Sequence, residues 1–141
     1  MAATLEFELV SPERLLRSEQ VEMVVVPGTE GNFGVLPGHS LLISTIRPGL
    51  IEIYEGGKVK DRIFIAGGFA EVTGERCTVL AGEAVALPDL NRAALEGEAR
   101  ELEARLNSTQ NDDERSQARR QLAVVDAKLA VLGQAGGAAP H

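Results

Sequence analysis

Ala84-Val85-Ala86-Leu87-Pro88-Asp89-Leu90-Asn91-Arg92-Ala93 is where this chain changes character. The apolar run Ala84 to Leu87 stops at a proline, which cannot donate to a strand ladder, and the next carboxylate can accept from the first free amides of a helix. Upstream lie all five aromatic residues, eleven of the fifteen glycines and five of the six prolines. Downstream there is no aromatic, and Ala, Leu, Glu and Arg dominate. Two physical regimes therefore share 141 residues, with their seam near Pro88.

The upstream regime reads as β. Leu5, Phe7 and Leu9 alternate with Glu6 and Glu8, the period of a strand with one wet face. Short β-rich runs follow at Val21 to Val26, Leu41 to Ile46, Leu50 to Tyr54, Arg62 to Ile65, Phe69 to Thr73, Cys77 to Leu80 and Ala84 to Leu87. Turn pairs separate them: Pro27-Gly28, Pro37-Gly38, Pro48-Gly49, Gly56-Gly57, Gly67-Gly68 and Gly74-Glu75. Proline supplies a fixed φ and glycine a tolerated positive φ at such points. Many short strands with no helical stretch between them argue for a β-sandwich or flattened barrel over residues 1–88, not a parallel α/β sheet.

The downstream regime reads as helical. Leu95, Ala99, Leu102 and Leu106 fall on one stripe, and Ala118, Leu122, Val125, Leu129 and Leu132 repeat that spacing. Asn107 to Asn111 is a polar connector, and Asn111 with Glu114 forms a capping-box pattern. The expectation is an antiparallel helical hairpin over residues 89–133, with Asp89 as its first cap, and a disordered tail over 134–141. The whole is an α+β chain: a β-sandwich followed by a two-helix hairpin. Stripes this narrow, with alanine and valine at many knobs, leave the hairpin little core of its own.

Composition excludes several functions. Fourteen Lys and Arg against twenty-one Asp and Glu give a net charge of −7, unsuited to a nucleic-acid surface. Of this, −5 belongs to residues 1–88 and −2 to the rest. One cysteine, Cys77, rules out a disulfide framework and a cysteine zinc site, and with only His39 and His141 no histidine metal cluster is expected. The first residues lack a basic segment and are interrupted by Glu6 and Glu8, so no leader is expected. No apolar run approaches the ~18–20 residues that span a bilayer, so any membrane contact would come through partners.

Local motifs give no catalytic centre. Gly28-Thr29-Glu30-Gly31-Asn32-Phe33-Gly34 spaces its glycines by three but lacks the Gly-x-Gly-x-x-Gly and Gly-Lys-Ser/Thr patterns that cradle phosphates. It reads as an exposed loop and turn, in which Phe33 either tucks under or meets a partner. His39 and Ser40 are neighbours on what reads as a strand, so their side chains point apart and no nucleophile–base pair forms. Cys77 reads as a small buried strand residue.

Taken together, Leu9-Val10-Ser11-Pro12-Glu13, Glu30-Gly31-Asn32-Phe33-Gly34-Val35-Leu36-Pro37-Gly38-His39, Ile46-Arg47-Pro48-Gly49, Gly67-Gly68-Phe69-Ala70-Glu71-Val72 and Thr78-Val79-Leu80-Ala81 resemble the epsilon subunit of bacterial F-type ATP synthases. The resemblance runs along nearly the whole chain. It implies a ten-stranded sandwich plus hairpin, a non-catalytic place in the rotor stalk, and a peripheral position on the cytoplasmic face of the bacterial inner membrane. It implies a c-ring contact at Glu30, Gly31, Asn32, Phe33 and Gly34 and a gamma contact at His39 and Ser40. Some relatives carry an acid where Asn32 stands; the −5 of the sandwich suits docking on basic ring loops. In many relatives the hairpin extends along gamma towards the alpha and beta subunits and blocks hydrolysis. Asp89-Leu90-Asn91-Arg92-Ala93, with Glu83 upstream, matches an ATP motif of some relatives, which implies ATP as a weak regulatory ligand and no required cofactor. Pro88 departs from that motif, and Val124 and Val125 stand where nucleotide-binding members carry arginine. Asp89 as a plain helix cap is the competing reading there. For the chain as a whole, the alternative is a free-standing sandwich adaptor whose hairpin binds a partner helix.

Overall fold

The computed structural model describes residues 3–138. They form two compact units that divide between Ala86 and Leu87.

The first unit holds ten strands: β1 (Leu5–Val10), β2 (Leu15–Val21), β3 (Met23–Gly28), β4 (Gly31–Val35), β5 (Leu42–Ile46), β6 (Gly49–Glu55), β7 (Lys58–Ile65), β8 (Gly68–Val72), β9 (Arg76–Ala81) and β10 (Ala84–Ala86). The hydrogen-bonded order is β10-β7-β6-β3-β5-β8-β9-β1-β2, with β4 pairing β3. The β1–β9 pairing is parallel and the others are antiparallel. This is the flattened sandwich that the turn spacing predicts.

Alternation fills the interior. Leu5, Phe7 and Leu9 of β1 are buried, as are Val24 and Val26 of β3, Ile51 and Ile53 of β6, Ile63 and Ile65 of β7, and Cys77, Val79 and Ala81 of β9. Each large apolar side chain so removed from water contributes about 1.5–3 kcal/mol. Glu6 and Glu8 take the opposite face of β1, where Glu8 accepts a hydrogen bond from the Thr78 hydroxyl at 3.2 Å.

Two strands lie outside the alternation seen in the sequence. Strand β2 buries only Val21 and carries Arg17, Glu19 and Gln20, a polar composition suited to the end of a sheet. It is held by its ladder with β1 and by ion pairs to the far end of the same sheet: Arg17 meets Asp61 of β7 at 2.9 Å, and Lys60 meets Glu19 at 3.1 Å. Hydrogen bonding and charge from Glu19, then the charge of Glu55, raise the Lys60 ammonium above its ordinary value. Strand β4 corrects the expectation of a loop from Gly28 to Gly34. Gly28 closes β3, Thr29 and Glu30 make the turn, and Gly31 to Val35 pair back onto β3.

The second unit opens with a single 3-10 turn, Leu87–Asp89, followed by α1 (Arg92–Ser108) and α2 (Asp112–Ala138). The cap of α1 is Asn91, whose side chain accepts from the Ala94 amide at 3.0 Å, so Asp89 is not the cap expected from the sequence. The 3-10 turn, closed by Leu90 N–H donating to the Leu87 carbonyl at 3.1 Å, delays the helix past Asp89. Asn111 caps α2 as expected, accepting from the Asp113 and Glu114 amides. Glu114 accepts from the Thr109 hydroxyl at 2.7 Å instead of completing the box. Leu95, Ala99 and Leu102 pack against Ala118 and Val125, flanked by half-buried Leu106, Leu122, Leu129 and Leu132. Arg115 of α2 donates to the Leu106 carbonyl at 3.2 Å, satisfying an orphan acceptor at the end of α1. Helix α2 continues through Gly133 to Ala138, where a tail was expected, because Gly133 adopts no positive φ and so supplies no left-handed stop. Residues 139–141 of that expected tail lie outside the described residues.

Two outcomes follow from this packing. Gly68 has φ +146° and runs so close to β9 that an added Cβ would strike the Leu80 carbonyl. Gly68→Ala is therefore expected to cost at least about 2 kcal/mol, read as a lower midpoint in chemical denaturation. Burial pushes the Cys77 thiol up to about 12 from an ordinary 9.0. The folded chain should resist a thiol reagent at neutral pH and react on unfolding; because only the unfolded thiol ionises above about pH 9, stability should fall as pH rises from there towards 12.

Candidate docking surface

The β3–β4 hairpin is built around a close approach. A Cβ on Gly28 would lie 2.8 Å from the Gly31 carbonyl oxygen and 3.0 Å from the Phe33 ring, so only glycine lets the two arms pair here. Gly31 takes φ +135°, the positive value that lets the turn reverse while Thr29 and Glu30 keep negative φ. Phe33 is half-buried and packs on the sandwich core, and Glu30, Gly31, Asn32 and Gly34 are exposed. The five residues Glu30 to Gly34 are thus brought together at one tip. That tip is tied to β5: the Thr29 amide donates to the Thr45 carbonyl at 3.1 Å, and the two threonine hydroxyls share a hydrogen bond of 2.8 Å. Arg47 donates from Nη1 to the Gly28 carbonyl and from Nη2 to the Asn32 side-chain oxygen, each at 2.6 Å.

His39 and Ser40 lie on the connection between β4 and β5, not on a strand. The His39 amide donates to the Leu36 carbonyl at 3.1 Å, and the Gly38 amide to the Gly74 carbonyl at 2.7 Å. His39 Nδ1 sits 2.7 Å from the Ser40 carbonyl oxygen, which can only accept, so Nδ1 carries the proton. The imidazole therefore engages the Ser40 backbone and not its hydroxyl, and the pair lacks the arrangement of a nucleophile and its base.

Around this connection the sequence reading missed an apolar surface. Leu41 is 80% exposed, Ile43 73%, Leu36 55%, Phe69 54%, Leu15 54% and Leu80 45%. Register explains how they assemble. Phe69 of β8 pairs with Leu80 of β9, Leu80 with Val10 of β1, and Val10 with Leu15 of β2. One apolar row therefore crosses four strands on the outward face, and Ile43 stands on β5 beside Glu71 of β8. The signal in the sequence is apolar residues on both parities of one strand, as in Leu41-Leu42-Ile43 and Val79-Leu80-Ala81. Beside it, an open polar cleft of ≈540 Å³ contains Glu6, Glu71, Glu75 and Arg76, and neither histidine nor cysteine lines it.

The candidate nucleotide residues belong to both units. Glu83 is exposed between β9 and β10 in the first unit, and its carbonyl accepts from the Ala66 amide at 3.1 Å. Asp89 ends the 3-10 turn and Arg92 starts α1, both exposed in the second unit. Val125 is buried in the helical core and Val124 is half-buried. Among the described residues no group of three or more His, Cys, Asp or Glu is disposed to hold a metal ion, and no helix is long and apolar enough to cross a membrane.

Comparison with known proteins is specific. Residues 4–87 match the family described as ATP synthase, Delta/Epsilon chain, beta-sandwich domain. An ATP synthase epsilon chain of Rhodospirillum rubrum is 55% identical over 130 residues, covering 92% of this chain and 97% of the relative. An ATP synthase epsilon chain of Rhodospirillum centenum is 51% identical, with 94% of each chain covered. Among solved structures, a chain of the Euglena gracilis mitochondrial ATP synthase, OSCP/F1/c-ring, superposes with a TM-score of 0.77 at 28% identity, covering 92% of this chain and 82% of that one. A chain of the Tetrahymena thermophila mitochondrial ATP synthase central stalk and c-ring shares the fold, with a TM-score of 0.61 at 13% identity, covering 92% of this chain and 97% of that one. Matched over residues 4–87 by the family model and over most of its length by these relatives, the chain belongs to the ATP synthase epsilon chain family, non-catalytic subunits of the ATP synthase complex.

Proposed function

We propose that this chain is the rotor-stalk subunit that joins gamma to the c-ring, coupling proton flow to ATP synthesis on the cytoplasmic face of a bacterial inner membrane. The observation that carries the reading is the exposed apolar surface of the sandwich. Six large apolar side chains at 45–80% exposure on a rigid sheet and its loops are costly in a free chain and suit a protein partner. Exposed Leu36 and Leu41 bracket His39 and Ser40 in the sequence, which supports the proposed gamma contact at His39 and Ser40. The proposed c-ring contact is the glycine-rich tip, Glu30, Gly31, Asn32, Phe33 and Gly34. The acidic sandwich would favour approach to basic ring loops.

The helical unit is the regulatory half of this proposal. The cluster its two helices bury contains two alanines among five residues, so exchanging one partner surface for another carries a small net cost. Extended along gamma it would reach the alpha and beta subunits and hinder hydrolysis. ATP, through Asp89 and Arg92 with Glu83, is a weak ligand in this scheme, because Val124 and Val125 supply no cationic clamp for a triphosphate.

Ile43→Asp places a charge on an exposed position, so the fold should stay intact while binding to gamma weakens at least tenfold, about 1.4 kcal/mol, in a titration with purified gamma. Unchanged affinity would remove the apolar face as the gamma contact. ATP hydrolysis by the assembled enzyme should rise severalfold when residues 89–141 are deleted; an unchanged rate would end the inhibitory role of the hairpin.

A further inference from the structure

The tip proposed to meet the c-ring is made of residues that should not hold a shape. Gly28, Gly31 and Gly34 fall within seven positions, and glycine loses more backbone freedom on ordering than any other residue. A loose tip would lose that entropy on docking and bind weakly. The structure supplies a counterweight in one side chain. Arg47 follows β5, and its amide donates to the Pro27 carbonyl at 2.9 Å. Its guanidinium then reaches the Gly28 carbonyl on one arm of the hairpin and the Asn32 side chain on the other, at 2.6 Å each. Pro27 and Asn32 are themselves cross-strand partners, so the planar fork spans the hairpin just below its turn. Both acceptors are neutral, and among the described residues no carboxylate pairs with Arg47.

We propose that Arg47 is the positioning residue of the β3–β4 tip: by bonding both arms it holds the Thr29-Glu30 turn in its docking shape before a partner arrives. This rests on the reading of the tip as the ring-facing contact. Two demands follow from the geometry. The fork must be planar and bidentate, which lysine cannot reproduce, and the effect must be confined to the tip, since Arg47 is exposed and touches no core residue by these bonds.

The test uses the full chain with Arg47→Ala, Arg47→Lys and Asn32→Ala. Amide hydrogen exchange of residues 28–33 in the free chain is compared with that of β1 and β9, and affinity is measured for c-ring-containing ATP synthase stripped of this subunit. For both Arg47 variants, exchange at the tip should accelerate at least tenfold with β1 and β9 unchanged, and affinity should drop at least threefold; Asn32→Ala should produce a smaller loss of each. Unchanged tip exchange in Arg47→Ala overturns the proposal, as does full recovery in Arg47→Lys, which would make charge and not the fork the cause. Faster exchange with unchanged affinity also overturns it. Cross-linking of Glu30→Cys to the c-ring in the assembled complex, with buried Cys77 silent, tests the docking reading separately: a cross-link with unchanged affinity in Arg47→Ala rejects only the positioning role, whereas no cross-link rejects the ring contact itself.

Discussion

The parallel pairing of β1 with β9 is the constraint on which the sandwich depends. It sets residues 6–10 beside residues 76–80, so the start of the chain completes a sheet whose other members lie far along the sequence. Phe7 then lies beside Cys77 and Leu9 beside Val79, all within 1% of full burial. The same register turns the intervening residues outward together: Glu8 beside Thr78, and Val10 beside Leu80. Core and outer apolar row are two faces of one pairing. Neither can be changed by a one-residue slip without exchanging both.

Gly68 protects that register from the other side. With Leu80 pressed between β1 and β8, the backbone of β8 must approach β9 where no side chain fits, and the positive φ at Gly68 satisfies the same position. The helical unit has no comparable lock. Its order comes from ends and a thin seam: Asn91 and Asn111 fill helix amides, Arg115 fills carbonyls, and the buried cluster is small, with Ala99, Ala118 and Val125 among its five members. Termini and side-chain caps open at lower free energy than a sheet core.

The division at the seam was legible because composition changes there, and the strands from β5 onward were legible because Pro-Gly and Gly-Gly pairs bracket β-branched runs. Strand β4 was not legible, since Gly31-Asn32-Phe33-Gly34 has poor intrinsic strand preference and forms by pairing with Val25 to Gly28. Strand β2 hid for a related reason: Arg17 and Glu19 break any apolar alternation, and their partners Asp61 and Lys60 lie more than forty positions away. Asn91 escaped notice because Asp89 is an equally good cap in isolation, and the 3-10 turn decides between them. Of the candidate surface, the glycine tip was visible as a motif, but Arg47 was visible only as part of an Arg-Pro-Gly turn. Apolar residues on both parities of Val79-Leu80-Ala81 hint at an outward apolar face, but the row itself needs register, because Val10, Leu15, Phe69 and Leu80 share no sequence spacing.

What the surface asks of its surroundings follows from that row. A strand residue pointing outward normally meets water, and Glu8, Arg17 and Glu71 do. Leucine, isoleucine and phenylalanine at the equivalent positions gain nothing from water and little from each other while exposed. Their return comes only when a second apolar face excludes solvent, and a rigid sheet has already lost the backbone freedom that a loop would still have to lose. The tip works under the opposite condition, since three glycines must be ordered before they can match a contour. A sandwich that is stiff on its apolar face and clamped from outside at its glycine-rich tip presents two surfaces that meet the ordering cost of docking in different ways.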